Sequence, residues 1–486
     1  MRVQLSTIFR GGRLAQTKKS VVKFISSLDS DARIAHATIL VNKAHIIALV
    51  KAKAIDKQDA EKILKALGES EKNIKFRENV EDIHVLIEEY VTKRTGKQIG
   101  GQMHLGKSRN DQVVTAIRIA LRQEILEVAK LLISLENKLL QVASKHTEAM
   151  FPGYTHLQPA QPITFAHYLQ ALGDAFLRDI DRAKQTYERV NKSPMGAAAI
   201  AGTSFNLNRN SVGTLLGFEG LVENSLDAVG TRDFAVETLS VCAITSLDIS
   251  RLAQDLIFYS SDDVGLIEIP DEFTSTSSIM PQKKNPDPLE VMRARCAQVI
   301  GNFVSAATTV HALPSGFNLD FQELTPLLWN SIDLIKSCLK LLCELIPQIR
   351  VNKEIVNRDN LRFITATEIA NVLVLEEKLP FRTAHQAVGR AVKMTLGGDL
   401  SELTREKWKL ILGKDVKEQT FRRINETHNL HMSPRVYRTI GSPNPKQTKL
   451  MISKRKQQVR ELTEAINSYS KKSNRSILRL QAKNLL

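Results

Sequence analysis

From Asp111 to Met150 the chain contains neither proline nor glycine. Within that stretch Val114, Ile117, Leu121, Ile125, Val128, Leu132, Leu135, Leu139 and Val142 recur at spacings of three and four. This is the period of one helix face, and at ~1.5 Å per residue it predicts a rod of roughly 60 Å. A rod of that length outruns what one small domain buries, so it needs other rods beside it. The pattern returns, less regularly, over 163–190, 223–260, 288–312 and 322–346, each bounded by Pro, Gly or Asn. Proline, which removes a helix donor, is absent before Pro152 and between Pro194 and Pro270. Five long helices with few strand signals predict an all-α fold around an up-and-down bundle, with oligomerisation through that bundle.

The flanks read differently. Residues 24–100 predict shorter helices, such as Asp29 to Lys53 and Asp56 to Leu67, and the chain after Val351 predicts short segments with turns at Lys378-Leu379-Pro380 and Gly397-Gly398. Four parts follow: an N-terminal helical domain (1–110), a central long-helix bundle (111–350), a small C-terminal helical domain (351–440) and a basic C-terminal extension (441–486).

Charge separates the same parts. The 486 residues carry a formal +16, of which +6 sits in residues 1–23 and +9 in 441–486, so the body is close to neutral. A basic tail without RNP-like aromatics or a recognition motif supports non-specific nucleic-acid binding at most, so no specific nucleic-acid partner is expected. The four cysteines lack metal-ligand spacing and the density of a disulfide scaffold, and no apolar run approaches the ~20 residues that cross a bilayer. A reduced, cytoplasmic protein without membrane insertion is expected.

Three polar islands interrupt the helices. The first, Gly100 to Gln112, lies just before the longest rod, so Ser108-Arg109-Asn110-Asp111 can cap it and turn free N–H groups toward an anion; an ordinary N-cap accounts for it equally well. The second, Gly153 to Pro162, holds Thr155, His156 and Gln158, more polar chemistry than the turn between two helices requires. The third, Thr274 to Glu290, begins as a Ser/Thr-rich loop and continues with Lys283 and Asn285, which suit a carboxylate; a solvated loop is the plain alternative. The first island lacks the spacing and preceding strand of a phosphate-binding glycine loop, and no Gly-x-Ser-x-Gly elbow surrounds Ser277 or Ser278, which argues against hydrolysis through a Ser-His-Asp triad.

Together the islands resemble the three separated active-site segments of the fumarase/aspartase superfamily. The run Ser277 to Pro286 is similar to the signature Ser-Ser-x-Met-Pro-x-Lys-x-Asn-Pro without a gap. Ser108 to Gln112, Met280 to Asp287, Glu81-Asp82-Ile83-His84 and Asp227 to Phe234 resemble the argininosuccinate lyases within it, over about residues 24–440. That resemblance implies a three-domain fold whose long helices form a 20-helix core in a homotetramer, with active sites shared between subunits. It implies elimination of fumarate from argininosuccinate without metal or cofactor. It further implies Ser277 as base, His156 as acid or its support, Glu290 orienting His156, and Lys283 beside the developing charge. Substrate contacts carried over are Ser27, Asn110, Thr155, Asn285 and Gln322, with Arg109, His84 and Arg232 as further positions.

Two positions depart from the family pattern: Phe317 stands where a substrate-binding Tyr is expected, and Thr325 where a Lys is expected. Two other readings remain at this stage. Adenylosuccinate lyases share the signature loop, though they typically carry His where Gln282 stands. Inert crystallin-like homologues share the fold; intact Ser277, His156 and Lys283 argue against them.

Overall fold

The computed structural model describes residues 17–77, 80–352, 354, 358–395, 398–482 and 485–486; residues 1–16, which carry part of the N-terminal charge, and Gly397 of the expected Gly397-Gly398 turn lie outside them. The N-terminal part holds α1 (Ala35–Lys51), α2 (Lys57–Asn73) and α3 (Ile83–Thr95). The breaker-free stretch is a single helix, α4 (Arg109–Lys145). A hairpin of β1 (Met150–Thr155) and β2 (Gln158–Thr164) follows, then the rods α5 (Phe165–Val190), α6 (Asp233–Ser260), α7 (Asp287–Val310) and α8 (Leu324–Leu345). The smaller helices α9 (Ala366–Glu377), α10 (Phe381–Met394), α11 (Arg405–Leu412) and α12 (Glu418–His428) come next, and α13 (Pro445–Gln481) ends the chain. The fold is all-α; among the described residues the only other strands are two-residue ladders.

α4 forms the spine because its apolar stripe is buried along its whole length, from Val114 to Ala143. α5 and α8 pack against it, α6 packs on α5, α7 and α8, and one continuous core takes in residues from Leu28 to Leu480. α9 to α12 enclose a second core around Trp408, which is wholly buried.

Three features differ from the sequence reading. The segment Leu28–Lys51 is long and apolar enough to cross a membrane by composition, yet 78% of its apolar window is buried inside the protein; it is a core helix. The predicted rod at 223–260 is broken into Ser225–Gly230 and α6, with Arg232 between them. Gly230 abuts the loop before α8 there, where a Cβ would lie 2.9 Å from the Gly316 nitrogen.

The third is the basic extension, which is no loose appendage. In α13 the buried positions Ile452, Val459, Ile466, Ser473 and Leu480 recur every seven residues, the interval that keeps one seam of a helix against a partner helix. The seam lies on α4 and α5. Beside it Arg455 Nε donates to Asp174 Oδ1 at 2.6 Å, Lys472 pairs with Glu219 at 2.8 Å, and Tyr469 stacks on Tyr187 while donating to Glu188 at 2.6 Å. Part of the tail's positive charge thus meets acids on the bundle.

Candidate active site

A cavity of about 450 Å³ lies where the segment before α1, the starts of α3 and α4, the break before α6 and the loop before α8 meet. Ser27, His84, Arg109, Asn110, Arg232 and Gln322 all line it. Residues almost 300 positions apart in sequence therefore share one space.

Each is held by local structure. Ser27 Oγ donates to Asp31 Oδ2 at 2.8 Å, and the same oxygen accepts the Ile83 N–H at 3.1 Å, tying Ser27 to the first residue of α3. Asp82 caps α3 by accepting the Val85 N–H at 2.8 Å, and its other oxygen lies 2.8 Å from Arg109. Glu81 approaches Arg109 as well, at 3.3 Å. The Arg109 charge is thereby met by two carboxylates. Burial lifts Asp31 to about 7 and lowers His84 to about 4, so the imidazole is neutral. Among the described residues neither His84 ring nitrogen has a hydrogen-bond partner.

Ser108 caps α4, its Oγ accepting the Asn110 N–H at 3.3 Å while Asp111 Oδ1 accepts the Ser108 N–H at 3.0 Å. The second Asp111 oxygen accepts the N–H groups of Gly196 and Ala198 at 3.0 and 2.9 Å. This pins the loop whose Ala199 carbonyl receives Asn110 Nδ2 at 3.3 Å. Gln322 Nε2 donates to the Ile25 carbonyl at 3.0 Å and closes the wall. Phe317 and Thr325 line the same cavity.

The remaining expected residues stand elsewhere. Thr155 and His156 are exposed at the tip of the β1–β2 hairpin, where Thr155 pairs with Gln158 across the turn His156-Leu157. Both turn residues have positive φ, 55° and 58°, as a two-residue hairpin turn requires. The helix-connecting turn expected there is thus a strand pair. Ser275-Thr276 pairs with Lys284-Asn285, so residues 277–283 form the tip of a ribbon. Ser277 is half-buried and its Oγ accepts the Ile279 and Met280 N–H groups at 3.3 and 3.2 Å. Lys283 is exposed, Asn285 is half-buried, and Glu290 is exposed in the first turn of α7. Within one chain none of these six lines the cavity.

Sequence reasoning missed Asp31. Its signal was the Ser27-to-Asp31 spacing of four at a helix start, which allows a side-chain pair, but nothing local announces the contact with Ile83.

This helical architecture is shared with solved lyases of the fumarase/aspartase superfamily. A crystal structure of EDDS lyase in complex with formate superposes with a TM-score of 0.84 over 96% of this chain and 95% of that one, at 25% identity. The class II fumarase of Schistosoma mansoni gives 0.72 over 87% of this chain and 96% of that one, at 17% identity, a likeness of fold alone. In sequence, a lyase family profile matches residues 12–301 and an argininosuccinate lyase C-terminal profile matches 363–429. The argininosuccinate lyase of Methanocaldococcus jannaschii is 41% identical over 92% of this chain and 93% of its own length, and that of Methanothrix thermoacetophila is 41% identical over 97% and 98%. The chain belongs to the argininosuccinate lyase family and is a lyase.

Proposed function

We propose that the protein catalyses the anti elimination of argininosuccinate to L-arginine and fumarate, a step of arginine biosynthesis in the cytoplasm, as a homotetramer whose active sites draw on several subunits. The observation that carries this reading is the convergence of Ser27, Arg109, Asn110, Arg232 and Gln322 on one cavity, in a chain similar over nearly its whole length to argininosuccinate lyases.

Removing a proton from the carbon beside a succinyl carboxylate drives negative charge onto that carboxylate. Lys283 and Asn285 supply a cation and a donor there. Ser277 takes the proton; a hydroxyl becomes basic enough only when its loop closes over the substrate, excludes water and lies beside a cation. The departing guanidino nitrogen gains a proton from His156 or a group that His156 supports, and Glu290 orients the imidazole. Thr155 contacts the substrate from the same hairpin.

The exposed position of the Ser277 ribbon and the His156 hairpin, away from the cavity, supports sites completed by other copies. So does the uncovered face of α7, where Ala294, Ala297, Gly301 and Ser305 are exposed and a Cβ on Gly301 would meet open space. Small side chains there allow another helix to approach closely.

Fumarate formation from purified protein, followed by ultraviolet absorbance with argininosuccinate and adenylosuccinate in parallel, tests the reaction. Release from argininosuccinate is expected, and cleavage of the purine substrate alone overturns it. Light scattering should give about four times the 54.4 kDa chain mass; an active monomer overturns the shared site.

A further inference from the structure

Arg232 differs from the other cations at the cavity. Arg109 faces Asp82 and Glu81, and His104 lies 3.5 Å from Glu88. Arg232 is only 4% exposed, yet among the described residues its Nη1 meets only the Val229 and Thr231 carbonyls, at 3.2 and 2.7 Å, and its Nε finds no partner. Among the described residues no carboxylate forms an ion pair with it, and the charged neighbour that perturbs it is another cation, Arg118. Its guanidinium lies over Phe321 at 4.5 Å and within 5.9 Å of Phe317. Burial lowers its pKa to about 9, which leaves it charged at neutral pH. A buried cation without a counter-ion is costly to a folded chain unless an anion arrives to pair with it.

The surroundings say which anion. Phe317 offers a ring and Thr325 a hydroxyl, so this wall holds no other cation. The neighbouring wall carries Glu81 and Asp82, with the partly ionised Asp31 behind them, against the single charge of Arg109, an acidic region suited to an ammonium group. A wall that wants an anion beside one that wants a cation matches the two charges of a free amino acid. The succinyl carboxylates at the reacting carbons are already matched to Lys283 and Asn285.

We propose that Arg232 is the counter-charge for the α-carboxylate at the amino-acid end of the substrate, and that it sets a preference for arginine derivatives over the corresponding derivatives of the decarboxylated amine. This rests on the elimination reading above. A guanidinium that lies near two rings and is tied at Nη1 to two carbonyls has little freedom to lose when a carboxylate pairs with it. The Gly230–Gly316 contact, which brings the Phe317 loop against the break before α6, fixes that placement.

The test compares argininosuccinate with its analogue built on agmatine, which lacks only the α-carboxylate. The wild-type enzyme should favour argininosuccinate in kcat/KM by about 30-fold or more, the scale of a lost charge-assisted hydrogen-bond pair. Arg232→Gln should raise KM for argininosuccinate by a similar factor with kcat changed less, and leave KM for the analogue within about twofold. Thr325→Lys in the Arg232→Gln background should restore part of the loss. Equal wild-type kcat/KM on the two substrates overturns the assignment even if the variants do not fold, and so does a loss in Arg232→Gln that falls equally on both. If the wild-type protein cleaves neither, the elimination reading fails, and calorimetry with L-arginine and agmatine decides the site: tighter binding of arginine supports Arg232 as the carboxylate partner, and equal binding overturns it.

Discussion

The Ser27 hydroxyl donates to Asp31 at 2.8 Å, and the same Asp31 oxygen receives the Ile83 amide from 52 residues further along the chain. Asp31 therefore joins the segment before α1 to the start of α3, and Asp82 next to Ile83 joins α3 to Arg109 at the start of α4. One buried carboxyl sets the position of Ser27 relative to the rest of the cavity. Asp31→Ala should lower kcat/KM for argininosuccinate by about tenfold, the scale of one or two lost hydrogen bonds near a ligand. Asp31→Asn keeps an acceptor oxygen in the same place and should retain most activity. Steady-state kinetics on both variants checks this; equal losses would mean that the charge of Asp31, and not its geometry, matters.

Glu136 lies in the middle of α4 with no exposed surface and, among the described residues, no hydrogen-bond partner on either oxygen, and it fills the space that the missing side chain of Gly173 leaves on α5. Burial, with Asp174 nearby, raises its pKa to about 8, above the ordinary value of an unfolded glutamate. The folded state then binds the proton more tightly than the unfolded state. Its contribution to stability is complete below the ordinary carboxylate range and declines as pH rises toward 8, at up to about 1.4 kcal/mol per pH unit. Asp31 and Asp179, raised to about 7, act in the same direction. The melting temperature should fall between pH 5 and pH 8, and Glu136→Gln should flatten that slope. A variant with the wild-type slope would show that Glu136 is not the group responsible.

The rods were legible because burial of a helix writes its period into the sequence, and α4 begins at Arg109, two residues from where the stripe and cap placed it. The hairpin was hidden by Pro152, Pro159 and Pro162, which read as turn residues but are tolerated in a two-stranded ribbon that has no central strand. The break at Arg232 was hidden because apolar residues continue on both sides of it. α13 was hidden because its seam shows one buried residue in seven among many lysines and arginines, so charge outweighed periodicity. At the site, Asn110 and the Ser277 loop carry their signal in contiguous motifs. Asp31 and the unpaired state of Arg232 are properties of spatial neighbours, which no local pattern records.

Ser277 sits at a ribbon tip with its hydroxyl accepting two backbone N–H groups of its own loop. Ser277→Ala should leave the melting temperature unchanged, since little is buried there, while kcat falls by at least about 10³ through loss of the base. Because Ser277 does not line the cavity that contains Asn110, the two residues need not come from one chain. Inactive Ser277→Ala and Asn110→Ala proteins, mixed, dissociated and reassembled, should recover a fraction of wild-type activity from sites that draw both intact residues from different copies. No recovery in confirmed hybrid tetramers would place both residues of each site on one subunit.

Removal of α13 is the sharpest test of its role. A solvating or polyanion-binding tail could be cut at Ser442 without harm to the bundle. The structure argues otherwise, because Ile452, Val459, Ile466 and Leu480 are all buried in the main core, and burying side chains of this size contributes about 1.5–3 kcal/mol each. Their loss is on the order of 6–12 kcal/mol, against a total stability of about 5–15 kcal/mol for a typical domain. The cut also removes Arg455 from Asp174 and Tyr469 from Tyr187, and it opens the α4–α5 surface near Glu136 to water. A chain ending at Ser442 should therefore aggregate or melt well below the full-length protein, whereas Lys454→Ala and Lys471→Ala, at exposed positions, should leave the melting temperature within about one or two degrees. A stable, active truncated enzyme would show that the heptad seam of α13 is dispensable to the bundle it lies on.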